Sequence, residues 1–209
     1  MLPRTLAAAI AVAAPFAARA AGPGPEIGMR TGFTLPFGKV ADSATASLSD
    51  AFHEFVPLGL ELGWRFTPNL YAGATVTYAV GLPKDCPSGS RCSGHDVILD
   101  LDLRFHALPD ERIDPWFGIG AGYEWLGLSE TQGGTTADAS ADGFEFVHAQ
   151  VGADYVASGN VRLGPFVEFA LGQYTGVSIS SGGLTLSRDI PDKTLHEFLT
   201  FGLRVSFLP

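Results

Sequence analysis

After its first 20 positions the sequence has no long, uninterrupted run of apolar residues. A membrane-crossing helix needs about 20 such residues, so this part of the chain is not a helical membrane protein. Positive charge is also scarce, because 13 Lys and Arg residues stand against 22 Asp and Glu residues. An acidic chain does not suit a nucleic-acid partner, whose phosphates attract basic surfaces.

Cysteine is limited to Cys86 and Cys92, which lie six positions apart in a polar segment. A structural zinc site needs four ligands, and His95 is the one further soft ligand nearby. The glycine-rich segment 132–143 contains no phosphate-binding pattern. Oxidising conditions outside the cytoplasm favour a disulfide between two such cysteines. We therefore predict a Cys86–Cys92 disulfide, with no metal and no cofactor.

Residues 1–20 have the composition of a bacterial secretory signal peptide. Arg4 forms a short basic region, residues 6–18 form an alanine-rich apolar run, and Ala18-Arg19-Ala20 is an A-x-A cleavage site. The apolar run is too short to span a bilayer as a helix. Cleavage would leave residues 21–209 as a single domain. Two of the 13 basic residues would be lost, so 11 would face 22 acidic residues and give a net charge of about −11.

The clearest pattern is the alternation of apolar and polar residues over 95–127. Successive side chains of a strand point to opposite faces, so the pattern predicts two strands joined by the polar turn 109–115. One face of the first strand is continuously apolar and carries Val97, Leu99, Leu101, Leu103 and Phe105. The other face carries Asp100, Asp102, Arg104 and His106.

The same alternation recurs along the chain and predicts eight strands. They cover approximately residues 26–39, 55–66, 70–80, 95–106, 115–127, 144–157, 161–177 and 194–207. Their connections alternate between short turns and long polar loops, and the long loops are 40–54, 81–94, 129–143 and 178–193. Residues 144–146 fall out of phase, which a β-bulge would explain.

An even number of strands, with short turns at one end and long loops at the other, is typical of transmembrane β-barrels. The apolar stretches approach the ~9–11 residues that a tilted strand needs to cross a bilayer. We therefore predict an all-β fold, an eight-stranded antiparallel up-and-down transmembrane β-barrel whose apolar face meets lipid. Aromatic residues near both ends would form interfacial girdles, namely Phe66, Tyr71, Phe105, Phe117, Tyr155 and Phe207 at the short-turn end and Tyr78 and Trp125 at the other.

With these features the chain resembles the small eight-stranded outer-membrane barrels of Gram-negative bacteria, the OmpA/OmpX type. The resemblance rests on the alternating strands and on the closing segment FGLRVSF (201–207), which looks like the C-terminal signal read by the barrel assembly machinery. It implies a monomer in the bacterial outer membrane with both termini in the periplasm. The implied partners are outer-membrane lipid, lipopolysaccharide and, during biogenesis, the assembly machinery.

Charged residues of both signs occupy the face that would point inward. The acids are Glu61, Asp100, Asp102, Glu124, Asp154 and Glu168, and the bases are Arg30, Arg65, Arg104, Arg162 and Arg204. Eight strands enclose a lumen just wide enough for side chains to fill, and buried charges persist when they are paired and hydrogen-bonded. We predict an ion-pair network that fills the interior, joined by His106 and His148. Loss of Asp102 would then leave a buried arginine without its partner.

These features favour a non-enzymatic protein with a structural or surface-interaction role through four long extracellular loops. The sequence leaves three alternatives open. The narrow lumen of an eight-stranded barrel argues against a small gated pore. The chain lacks the His-x-Ser pair that is typical of lipid A deacylases of this shape. An acyltransferase is left open, because His53 and His95 lie near acids and serines of the loops. A soluble lipocalin-like barrel would have its two faces reversed.

Overall fold

The computed structural model describes residues 22–45 and 47–209, which form nine β-strands and one helical turn. The strands are β1 (Gly24–Gly38), β2 (Phe52–Arg65), β3 (Leu70–Pro83), β4 (Ser90–His106), β5 (Ile113–Gln132), β6 (Thr135–Val156), β7 (Val161–Ser181), β8 (Leu184–Asp189) and β9 (His196–Phe207). The helix α1 (Leu48–Ala51) precedes β2. Among the described residues, no helix is long and apolar enough to cross a membrane. The predicted signal peptide, residues 1–20, lies outside the described residues.

Eight of these strands close into an antiparallel ring. Strands β1 to β7 pair in chain order, and β9 pairs with both β7 and β1. The ninth strand, β8, pairs with residues 176–181 at the far end of β7 and extends the wall beyond the ring. The predicted fold class, an eight-stranded up-and-down barrel, is therefore confirmed.

Two of the predicted long loops are largely strand. Residues 129–143 form the ends of β5 and β6, which meet at a two-residue turn of Gly133 and Gly134 with φ of 58° and 85°. Gly182 and Gly183 join β7 to β8 in the same way, with φ of 57° and 84°. Only glycine adopts such left-handed pairs easily, and they suit a tight hairpin. The prediction missed these strands because the turn-proximal side chains of β6 and all those of β8 are exposed, and strands exposed on both faces show no apolar alternation.

The outer wall of the ring is apolar. Large exposed side chains on it include Leu58, Leu60, Leu62, Val76, Leu99, Leu101, Leu103, Ile119, Val151, Leu203 and Val205. Soluble monomers rarely expose a continuous apolar surface of this extent. The lipocalin-like alternative, which would bury this face, is wrong.

Most of the predicted aromatic girdle lies on the same outer wall. Phe66, Phe105, Phe117, Tyr155 and Phe207 are exposed toward the short-turn end, and Tyr78 and Trp125 toward the other. Tyr71 is the exception, because its side chain is 1% exposed and its ring lies inside, 4.8 Å from the Arg104 guanidinium. Its assignment to the girdle is wrong, since it falls on the inward phase of β3.

The predicted β-bulge in β6 is confirmed. The register with β7 shifts between Glu145 and Val147, and that with β5 shifts between Gly120 and Gly122. Phe146 and Val147 are therefore both exposed, whereas Glu145 and His148 are both buried. A bulge re-aims side chains in this way, and here it directs two ionisable residues into the lumen.

The predicted disulfide between Cys86 and Cys92 is present, with the two Cα atoms 5.7 Å apart. It links the connection between β3 and β4 to the third residue of β4.

Replacing both cysteines with serine is expected to lower the free energy of unfolding by about 2 kcal/mol, because the bond closes a short loop in the unfolded chain. Urea unfolding in detergent, followed by tryptophan fluorescence, measures the change. The wild type treated with a reductant is the matched control and should unfold at the same urea concentration as the variant. Equal midpoints for the oxidised wild type and the variant would contradict a stabilising role.

Candidate functional site

The candidate site is the interior of the barrel, where charged side chains separate into two groups along the axis. The arginine cluster lies toward the short turns and comprises Glu26, Glu61, Arg65, Arg104, His106, Asp114, Asp154, Arg162 and Arg204. The acidic cluster lies toward the long-loop end and comprises Asp96, Asp100, Asp102, Glu124, Glu145, His148 and His196. All of these side chains are buried.

Arg204 on β9 is the centre of the arginine cluster. Its Nη2 donates to Glu26 Oε1 at 2.5 Å and its Nε to Glu61 Oε2 at 2.8 Å. Its Nη1 donates to Asp154 Oδ2 at 2.9 Å. One side chain therefore joins strands β1, β2, β6 and β9 across the lumen, and such charge-assisted bonds are stronger than neutral ones.

The other arginines of the cluster complete a closed layer. Arg65 donates to Glu26 at 2.8 Å, and Arg162 donates to Asp114 at 2.7 Å. Arg104 lies 3.3 Å from Glu61, with its guanidinium 4.7 Å from the centre of the Trp116 ring. The planar guanidinium suits this combination of carboxylate pairing and aromatic stacking.

His106 links two members of this layer. Its Nε2 lies 3.1 Å from Arg65 Nη2, which can only donate, so Nε2 accepts and Nδ1 carries the proton. Nδ1 then donates to Asp114 Oδ2 at 2.8 Å. The imidazole is thus a neutral bridge between an arginine and a carboxylate.

All eleven charged residues that the sequence predicts to be inside are buried there, but they do not form a single network. Arg65, Arg104, Arg162 and Arg204 meet Glu61 and Asp154 in the arginine cluster. Arg30 pairs with Glu168 at 2.8 Å in the middle of the barrel. Asp100, Asp102 and Glu124 lie in the acidic cluster.

The partner expected for Asp102 is wrong. Among the described residues it is bound by the Thr75 hydroxyl at 2.6 Å, by Gln150 Nε2 at 2.9 Å and by His148 Nε2 at 2.9 Å. Its removal would therefore leave a histidine, and not an arginine, without its acceptor. The alternation in β4 places Asp102 inside but does not give its depth relative to the arginines.

Sequence reasoning missed four buried acids: Glu26, Asp96, Asp114 and Glu145. Asp96 continues the inward phase of β4 and could have been found by extending the pattern. Asp114 lay in a predicted turn, Glu26 lies at the start of its strand, and the bulge takes Glu145 out of phase.

With these four acids, the balance of charge in the described interior changes from near parity to ten carboxylates and five arginines. In the arginine cluster four arginines face four acids, and Arg30 with Glu168 is a further matched pair. The five acids of the acidic cluster have two histidines beside them and, among the described residues, no arginine within it. The excess of acidic side chains is thus confined to the long-loop half.

Within the acidic cluster, Glu124 is bound by two aromatic residues. Its Oε1 accepts from the Tyr174 hydroxyl, and its Oε2 lies 2.9 Å from His196 Nε2. The Tyr174 and His196 rings stack, with centroids 4.1 Å apart.

An apolar cap separates the acidic cluster from the outside. It is formed by Leu48 of α1, Phe52, Phe55, Leu126, Ala141, Ile190 and Phe198. A cavity of about 210 Å³ lies between α1 and the extended strands β5 to β7. Sites for small molecules usually enclose ~300–1,000 Å³, so we attribute this cavity to the packing of the first loop against the wall.

The first and last connections at this end are tied together. Asp42 N donates to Asp192 O at 2.9 Å, and Ser43 N donates to the Asp192 carboxylate at 2.8 Å. Hydrogen bonds from the side chain and backbone of Ser43 lower the pKa of Asp192. The tie holds the apolar cap in place across the mouth.

No family model matches the sequence. No curated protein matches it either.

Solved structures do share its fold. A major outer-membrane protein of Thermus thermophilus aligns with a TM-score of 0.61 at 13% identity, covering 88% of this chain and 98% of that one. Neisserial surface protein A aligns with a TM-score of 0.55 at 13% identity, covering 90% and 99%. OprG of Pseudomonas aeruginosa aligns with a TM-score of 0.50 at 13% identity, covering 90% and 98%. The chain therefore has the barrel fold of small bacterial outer-membrane proteins.

Proposed function

We propose that this protein is an integral, monomeric protein of the bacterial outer membrane with a closed lumen and a structural or surface-interaction role. The observation that carries the proposal is the arginine cluster, in which Arg204 bridges three carboxylates across the narrow interior. Together with the apolar outer wall, this cluster supports a barrel that lies in lipid and has no wide path for solutes.

In the proposed orientation the short turns and both termini are periplasmic, and the long-loop end is extracellular. The apolar wall contacts outer-membrane lipid and lipopolysaccharide, and insertion requires the barrel assembly machinery. The extended β5–β6 and β7–β8 hairpins carry exposed polar side chains beyond the ring. They are the surface that we expect to meet a partner.

We propose that the protein is not an enzyme. The two histidines considered for acyl transfer are exposed on the wall, and the His95 ring stacks against Tyr78 with centroids 6.1 Å apart. The buried histidines are bound by carboxylates inside the barrel, out of reach of a lipid headgroup. Identical lipid A mass spectra from expressing and deleted cells would support this part of the proposal, and an altered acyl chain would overturn it.

The closed lumen predicts that the purified protein, reconstituted into planar bilayers, shows no single-channel openings above the lipid background. The arginine cluster fills the section that an ion would have to cross. A general porin reconstituted in the same bilayers is the positive control. Reproducible openings whose amplitude scales with salt concentration would contradict a filled interior and favour the small pore.

A further inference from the structure

We propose that Asp100, Glu145 and His148 bind a divalent transition-metal ion such as Zn²⁺ inside the barrel. One ligand atom from each residue lies within 4.8 Å of the others. His148 Nδ1 contacts Glu145 Oε1 and lies 3.8 Å from Asp100 Oδ1. The β6 bulge creates this group, because it turns Glu145 and His148 toward the same side of the wall.

The orientation of His148 is fixed by its other ring nitrogen. Nε2 lies 2.9 Å from Asp102 Oδ1, and the Asp102 carboxylate is held in turn by Thr75 and Gln150. When Nε2 donates to that carboxylate, Nδ1 directs its lone pair at Glu145 and Asp100. Metal-binding histidines are typically oriented by a carboxylate in this way.

The contact between His148 Nδ1 and Glu145 Oε1 requires a cation between the two lone pairs, either a shared proton or a metal ion. Asp100 Oδ1 is buried and has no hydrogen-bond partner among the described residues, and Asp96 Oδ1, in the same cluster, has none there either. A buried acceptor without a donor is costly. A cation between Asp100, Glu145 and His148 would satisfy the first of these atoms and offset the local excess of acids.

The donor set selects the class of ion. One imidazole nitrogen and two carboxylate oxygens suit Zn²⁺ and similar transition metals, whereas Ca²⁺ takes six to eight oxygen ligands. A cavity of about 30 Å³, lined by Glu145 together with Asp96, Glu168 and Arg30, lies beside the site. It is large enough for a water molecule, the usual fourth ligand when a protein supplies three.

The test is metal binding by the full chain. The protein is refolded from urea into detergent with one equivalent of Zn²⁺, so that access to the interior is not limiting, and bound metal is measured after desalting. Binding of Co²⁺ is followed in parallel by its visible absorption. We expect one ion per barrel, loss of binding in His148→Gln and Glu145→Gln, and affinity weakened ~10–100-fold in Asp102→Asn, which disturbs only the orientation of the ligand.

The matched control is His196→Gln, which removes another buried histidine of the acidic cluster and should keep the metal. A heat-dependent shift in gel mobility verifies that each variant has folded. Absence of Zn²⁺ and Co²⁺ binding by the folded wild type would overturn the proposal and leave a proton on His148 as the bound cation. Equal binding by the wild type and both ligand variants would overturn it as well.

Discussion

Replacing Arg204 with methionine is expected to lower the free energy of unfolding by about 3–5 kcal/mol, the usual cost of removing one partner from a buried ion pair. Arg204 is 1% exposed and bonds to Glu26, Glu61 and Asp154 at 2.5–2.9 Å. Methionine keeps much of the side-chain volume but none of the donors. Of the three acids, Asp154 would lose its one ion-pair partner among the described residues.

The measurement is equilibrium unfolding in urea after reconstitution into lipid vesicles, followed by tryptophan fluorescence. Arg188→Met is the matched control, because Arg188 is an exposed residue of β8 beyond the ring. It should change the free energy of unfolding by less than about 0.5 kcal/mol. Similar unfolding midpoints for the two variants would show that Arg204 is not a buried counter-ion.

The ring of eight strands could be predicted because most of its sequence alternates with a period of two. That signal is strong where one face meets lipid and the other meets charge, as in β4 from Val97 to Phe105. It disappears where both faces meet water, as at the ends of β5 and β6 and throughout β8. The alternation therefore predicts the barrel wall, whereas the hairpin extensions lack it and were predicted as loops.

The interior could be predicted only in part, because alternation gives the face of a side chain and not its depth. Asp102 and Arg104 are both inside, yet Asp102 bonds to Thr75 and Arg104 to Glu61. Depth depends on strand tilt and on pairing between distant strands. Arg204 reaches acids that lie 50 to 178 positions away, and no local pattern encodes those pairs.

The bulge in β6 had a larger consequence than its one extra residue suggests. Its out-of-phase segment was visible in the sequence, but the sequence did not show that Glu145 would point inward beside His148. Glu145 and Asp96 bring the acidic cluster to five acids, while Glu26 and Asp114 bring the arginine cluster to four acids for its four arginines. The proposed metal site lies in that acidic cluster.

The central claim is that the apolar wall faces lipid while the charges fill the lumen. Leu101 tests it because its side chain is 70% exposed in the middle of the wall, five positions from the end of β4. In a bilayer, an arginine at this depth is expected to cost about 2–4 kcal/mol. On a water-facing surface the same substitution would be nearly neutral. Leu184 is the matched control, since it is 80% exposed at the start of β8, beyond the ring.

The most direct measurement is therefore the free energy of unfolding of Leu101→Arg and Leu184→Arg in phospholipid vesicles. We predict that Leu101→Arg is less stable than the wild type by about 2–4 kcal/mol and unfolds at a clearly lower urea concentration, whereas Leu184→Arg unfolds at the same concentration as the wild type. Equal midpoints for all three proteins would mean that Leu101 faces water, and the account of a lipid-embedded barrel would be wrong.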